Sequence, residues 1–274
     1  MSISNITLDA STRQNLLSLQ QTATELSTTQ EALSTGKSVN SAADNATSYF
    51  ASQGFLNRAS ELSNLKNSLA TSLQTVTSIN QSISSATTLV DQLQGLVTSA
   101  LQTTDTTTRA GFASQFNSLR TQLDLLVNDA TFNGTNLLNG TSSTLVVFFN
   151  ETNTTALTIT GVNVTSAGLG VVTATNAFAN VTDINTSASL LLTALATLQT
   201  DASTFGTNAT LIQTRQDFTT NLINSLQTAS DNLVLADTNT EGADLQSLQA
   251  QDQLGIVSLS ISGTLAQAIL RLFP

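Results

Sequence analysis

The sequence predicts a mainly α-helical protein, a long antiparallel helical bundle or coiled coil drawn from both chain ends, with a small β-rich insert. Three observations lead there. Apolar residues recur at spacings of three and four over long stretches, with polar residues between them. Pro274 is the single proline, only 4% of residues are aromatic and only 9% are charged, a composition of long, polar-faced helices. One segment, residues 140–185, departs from this texture into short runs rich in Thr, Val and Gly.

Each element follows from its local pattern. Leu16, Leu19, Ala23, Leu26, Gln30 and Leu33 form an a/d seam on a first helix, which should stop near Gly36. "SVNSAADNATSYF" then offers a loop and an Asn/Ser/Asp cap. From about Phe55 a second seam runs through Leu62, Leu65, Leu69, Leu73, Val76, Ile83, Ala86, Val90, Leu93 and Val97. Such a rod of roughly 45 residues would be about 70 Å long. "QTTDTTTRAG" breaks it, and Phe112, Phe116, Leu119, Leu123 and Leu126 resume it as far as "NDATFNGTNLLNG", whose Asn-Gly pairs read as turns.

In the insert, "STLVVFFNE", "TALTITGVNVT" and "GLGVVTA" read as short antiparallel strands. Leu191, Ala194, Leu198, Phe205, Ile212, Leu222, Leu226, Ala229 and Leu233 then rebuild a long helix, ended by "DTNTEGAD". In the last segment Ala250, Leu254, Val257, Ile261, Leu265, Ala268 and Leu272 share one face, with no charge between Asp252 and Arg271. That end is too polar and too short to span a bilayer, so it requires a protein partner.

The plan is nested. Residues 1–38 and 240–274 are expected to form a terminal coiled coil, 39–139 and 186–239 a long-helix bundle, and 140–185 an exposed insert. The candidate interface is the terminal seam: Leu16, Leu19, Ala23, Leu26 and Leu33 with Leu254, Val257, Ile261, Leu265, Ala268 and Leu272.

Composition removes most other functions. Eight Lys and Arg against 18 Asp and Glu give a formal charge of −10, which repels nucleic acid and anionic membranes. The chain has no His and no Cys, so Ser-His-Asp, Cys-His, thiolate-metal and His-metal chemistry are all excluded, and no enzyme, cofactor or metal is expected. "TGKS" at Thr35 lacks the first glycine of a phosphate loop, with Glu31 in its place. "DTNTEGADLQSL" has Leu248 where a calcium loop needs its bidentate glutamate. The amino terminus has no basic n-region or apolar h-region, so export by a route other than Sec is expected.

"ALSTGKSVNSAADNATSYFAS" (32–52), "DATFNGTNLLNG" (129–140) and "LADTNTEGADLQSLQAQDQLGIVSLSISGTLAQAILRLF" (235–273) closely resemble bacterial flagellin, particularly the short alphaproteobacterial type. The resemblance covers everything except the insert. It implies a structural subunit that self-assembles into the helical filament of the bacterial flagellum for swimming motility. The chain ends would then form the inner filament core and the insert would face outwards. It further implies secretion by the flagellar type III export apparatus with an export chaperone, contacts with the hook–filament junction and cap proteins, and an extracellular location. A flagellin-like hook–filament junction protein is the alternative. "LVDQLQGLV" (89–97) lacks the arginines by which the toll-like receptor recognises many enteric-type flagellins, which implies weak recognition here.

Overall fold

The computed structural model describes residues 10–272, with the side chains of Ala266 and of 269–272 outside the description. The chain divides into two compact units, one of Met1–Arg58 with Ser225–Pro274 and the other of Ala59–Asn224. These boundaries differ from the 38/39 and 239/240 divisions of the nested plan. Five helices dominate: α1 (Ala10–Thr35), α2 (Ala42–Leu101), α3 (Thr106–Asp129), α4 (Val181–Val234) and α5 (Thr238–Leu272).

In the first unit α1 stops where Gly36 takes φ +69°, a left-handed value that suits glycine at a helix end. Asn45 interrupts α2 with extended dihedrals, and its side chain caps the following turn by accepting from Ser48 N–H. Asp44 accepts from Asn40 and Ser41 backbone N–H groups, which lower its pKa. The backbone N–H of Ser38 donates to Val234 O at 2.8 Å, joining the α1–α2 connection to the end of α4. Deeper, Ser52 and Ser230 hydroxyls share a buried 2.7 Å bond between α2 and α4. Asp237, the first residue of the apparent calcium loop, instead caps α5 by accepting from Asn239 and Thr240, and its pKa is lowered by those bonds.

The second unit has a heptad core. On α2, Leu62, Leu65, Leu69, Val76, Ile79, Ile83, Ala86, Val90, Leu93, Val97 and Ala100 are buried at alternating three- and four-residue steps, broken once by a full heptad between Leu69 and Val76. Leu73 is half-buried, while Ile79 and Ala100 join the expected set. The α3 seam is displaced from expectation: Arg109, Ala113, Phe116, Leu123 and Val127 are buried, leaving Phe112, Leu119 and Leu126 half-buried. On α4, Leu191, Ala194, Leu198, Phe205 and Ile212 are buried as expected. Farther along α4 the seam uses Ile223, Leu226, Ser230 and Val234 rather than Leu222, Ala229 and Leu233. Adjacent apolar pairs at 222–223 and 233–234 leave periodicity unable to choose the inward member. The helix is long and apolar enough to cross a membrane by length and composition. Its apolar stripe is nonetheless a packed core.

The insert contains two strands, β1 (Thr144–Phe148) and β2 (Ala156–Thr160), paired antiparallel with Val146 opposite Thr158. The expected third strand is absent. Residues 165–171 form successive tight turns, with Leu169 N–H on Thr165 O and Val171 N–H on Ser166 O. Asp124 of α3 holds that turn through Ser166, accepting from its N–H at 2.6 Å and its hydroxyl at 2.8 Å. Asn133 and Gly134, at φ +49° and +79°, make the expected Asn-Gly turn, which Phe132 and Thr135 close by mutual hydrogen bonds. Beyond the insert, Asn176, Ala177 and Phe178 are three successive left-handed residues, with Phe178 fully buried edge-on against Phe116.

Candidate assembly surface

The two ends of the described chain pair: α1 lies antiparallel against α5. Asn15 Nδ2 donates to Ser258 Oγ at 3.2 Å, and the helices touch at Leu19 and Gly255. On α1 Thr22, Thr29 and Ala32 are buried and Asn15, Leu19, Leu26 and Leu33 half-buried, so that polar and leucine layers alternate from Asn15 to Leu33 at three- and four-residue steps, with Ala32 beside them. On α5 the inward positions are Leu245, Leu248, Asp252, Gly255, Leu259 and Ser262, again at three- and four-residue steps.

The inward face of α5 is therefore not the one expected. Leu254, Val257, Ile261 and Leu265 stay 69%, 54%, 55% and 59% exposed. Ala268 is exposed as well, and the side chain of Leu272 lies outside the described residues. Ile256, which periodicity overlooked, is 54% exposed beside them. On α1 the expected residues separate: Leu19, Leu26 and Leu33 turn towards α5, while Leu16 and Ala23 remain exposed with Leu17. The α5 helix carries its apolar stripe beside a mixed inward face, and periodicity detects a stripe without saying what covers it.

The exposed stripe is chemically plain. Burying one such side chain stabilises by about 1.5–3 kcal/mol relative to leaving it in water. No charged residue occurs from Gln253 to Leu270, so nothing opposes its entry into a dry contact. The polar side of the same helix pair has a groove of about 330 Å³ edged by Glu25, Glu241 and Asp244. Among the described residues no group of three or more acidic side chains could hold a metal ion.

The paired chain ends and the uncovered stripe suit a subunit that completes itself against neighbours, and comparison with known proteins agrees. The sequence profile described as bacterial flagellin N-terminal helical region matches residues 3–143. Flagellin FljM of Caulobacter vibrioides is 32% identical over 277 aligned positions, covering 100% of both chains. The flagellin of Brucella melitensis is 27% identical, covering 99% of each. The crystal structure of Bacillus cereus flagellin overlaps 56% of this chain and 88% of its own at 16% identity, with a TM-score of 0.49, too loose an overlap to add to the assignment. By its full-length match and its amino-terminal profile, the chain belongs to the bacterial flagellins, the structural subunits that self-assemble into the flagellar filament.

Proposed function

We propose that this flagellin polymerises by burying the exposed α5 stripe, Leu254, Val257, Ile261 and Leu265, with Leu16 and Ala23 of α1, against neighbouring copies. Ala268 and Leu272 continue the stripe in sequence. Leu19, Leu26 and Leu33 act within the subunit, holding α1 to α5 so that the stripe is presented. The supporting observation is that four large apolar side chains of one helix face remain more than half exposed after the chain ends have paired. Monomeric soluble proteins rarely leave such a row uncovered.

On this reading residues 1–38 and 240–274 form the inner core of the filament, 39–139 and 186–239 the surrounding helical layer, and 140–185 its outward insert. The contact joins unlike surfaces of successive copies, so it propagates as an open helix rather than closing into a ring. The protein acts outside the cell as a structural element without catalysis, exported through the flagellar type III apparatus with a chaperone and assembled between the junction and cap proteins.

Seeded growth tests the proposal. Purified subunit added to sheared filament fragments should elongate them into long filaments, as seen by electron microscopy. Val257→Asp or Leu265→Asp should abolish elongation while the helical circular dichroism of the monomer stays near wild type, because the new charge is solvated in the monomer and desolvated in the contact. Normal filaments from either variant would overturn the assignment of the stripe. A wild-type subunit that never extends its seeds would point to the junction-protein role.

A further inference from the structure

Between α3 and β1 the chain carries the triplet Asn-Gly-Thr twice, at Asn133 and at Asn139. An asparagine followed by glycine is prone to lose its side-chain ammonia, because no side chain on the glycine crowds the nitrogen that must attack. One triplet in two places makes the fold, not the sequence, the difference between them.

At Asn139 both reacting groups are held. Its Nδ2 donates to Asn128 Oδ1 at 3.0 Å, and the N–H of Gly140 donates to Val162 O at 3.0 Å. The backbone of Asn139 is bridged to Asn163, and a Cβ placed on Gly161 would stand 2.5 Å from the Gly140 carbonyl, so the surroundings are tight as well. Asn40, which precedes the small Ser41, is locked in the same manner: its Nδ2 donates to Lys37 O, and the Ser41 N–H donates to Asp44 Oδ2 at 2.8 Å.

At Asn133 both groups are free. Among the described residues nothing accepts from the Asn133 amide or from the Gly134 N–H, and both residues are exposed. A Cβ built on Gly134 would meet nothing within 4 Å. The turn that carries them is closed by Phe132 and Thr135, whose N–H groups donate to each other's carbonyls at 3.0 and 2.9 Å. Its flanks are fixed, since the Ala130 N–H and Asn136 Nδ2 both donate to Val127 O at the end of α3. The turn can therefore open locally while the helices stay packed.

We propose that Asn133 is a self-modification site, at which the folded chain converts this asparagine to aspartate and isoaspartate while Asn139 is spared. When the turn opens, the Gly134 nitrogen gives its proton to solvent base and attacks Cγ of Asn133. The N–Cγ bond forms, the Cγ–Nδ2 bond breaks, and Nδ2 takes a proton from water and leaves as ammonia. Water then opens the five-membered imide at either carbonyl. Opening at Cγ gives aspartate; opening at the backbone carbonyl gives isoaspartate, with Cβ now in the main chain. That extra carbon takes the Phe132–Thr135 hydrogen bonds out of register, and either product adds one negative charge to the formal −10.

The full chain, folded and in urea, would be incubated at neutral and mildly alkaline pH and cut with chymotrypsin. Cleavage after Phe132 and Leu138 separates the two asparagines. Mass spectrometry reads the change from amide to acid in each peptide, and an isoaspartyl methyltransferase reads the isomer. In urea the two sites should convert at similar rates, faster at the higher pH. In the folded chain Asn133 should convert about tenfold or more faster than Asn139, which must first break two further hydrogen bonds. Gly134→Ala should slow Asn133 in urea as well as in the folded chain. Equal folded rates at the two sites would overturn the proposal. So would an Asn133 that stays intact in the folded chain while converting in urea, or one that converts in neither.

Discussion

Arg109 gives the sharpest test of how the second unit is held together. It is 6% exposed. Its Nε donates to Ala100 O at 3.2 Å and Thr103 O at 2.8 Å, and its Nη1 donates to Ala179 O at 3.2 Å. One cation therefore closes the end of α2, fixes the turn into α3 and fastens the segment before α4. Its charge also lies at the carboxy-terminal end of α2, where the helix dipole favours a cation. Arg109→Met would keep much of the apolar stem and remove every donor. Three carbonyls would each lose a partner, at about 1–3 kcal/mol for a buried orphan. Relief from desolvating a cation returns several kcal/mol. The net loss should be about 3 kcal/mol, or about 6–12 °C in Tm for a domain of this size. Arg109→Lys should recover less than half of it, because an ammonium cannot reproduce the planar fork. Urea and thermal unfolding of the full-length monomer, followed by circular dichroism, would measure both. A Met variant within 1 kcal/mol of wild type, or a Lys variant as stable as Arg, would refute the three-way clamp.

Two further outcomes follow from backbone and charge. Ala177, at φ +51°, sits between two other left-handed residues, a conformation that costs a non-glycine residue about 1–2 kcal/mol. Allowing for the greater freedom of glycine in the unfolded chain, Ala177→Gly should stabilise by about 0.5–1 kcal/mol in urea, and a loss of stability would contradict the strain. Burial raises the pKa of Asp201 above the ordinary carboxylate value. Its stabilising contribution is then full below the unfolded pKa and is lost as pH rises through the raised folded one. Asp201→Asn should accordingly raise Tm at pH 7 and leave it unchanged near pH 3, and an equal shift at both would exclude burial as the cause. Asp44, Asp105 and Asp237 have the opposite sign: hydrogen bonds lower their pKa values, so stability is lost as pH falls through the folded values.

The sequence made the helices legible, with most of the α2 seam, because one apolar stripe alternates there with polar residues. It misphased α3 because two arginines, Arg109 and Arg120, occupy inward heptad positions that residue type alone assigns to solvent. Sequence gave no warning that backbone carbonyls would receive Arg109. The "GLGVVTA" run has strand composition, yet local turns and the grip of Asp124 on Ser166 use the backbone groups a third strand would need. At the terminal surface the same residues were found with their roles exchanged. Leu254, Val257, Ile261 and Leu265 are the uncovered face, while the intrachain face includes Asp252, Gly255 and Ser262, whose polarity or smallness hid it from a hydrophobic scan.

Gly255 sets where the two chain ends can meet. A methyl group there would stand 3.0 Å from Cγ of Leu19 and 3.2 Å from its Cδ1. The leucine thus rests in a notch that only the missing side chain provides. Sliding α5 by seven residues in either direction would bring Leu248 or Ser262 opposite Leu19, and neither leaves that space. Counted from Leu19 and Gly255, the same register sets Thr22 opposite Asp252 and Leu26 opposite Leu248, and either slide would replace both pairings. The notch acts as a detent, giving two threads that reach each other from opposite ends of the chain one seat along their common axis, and so one offset at which each subunit can offer its free stripe to the next.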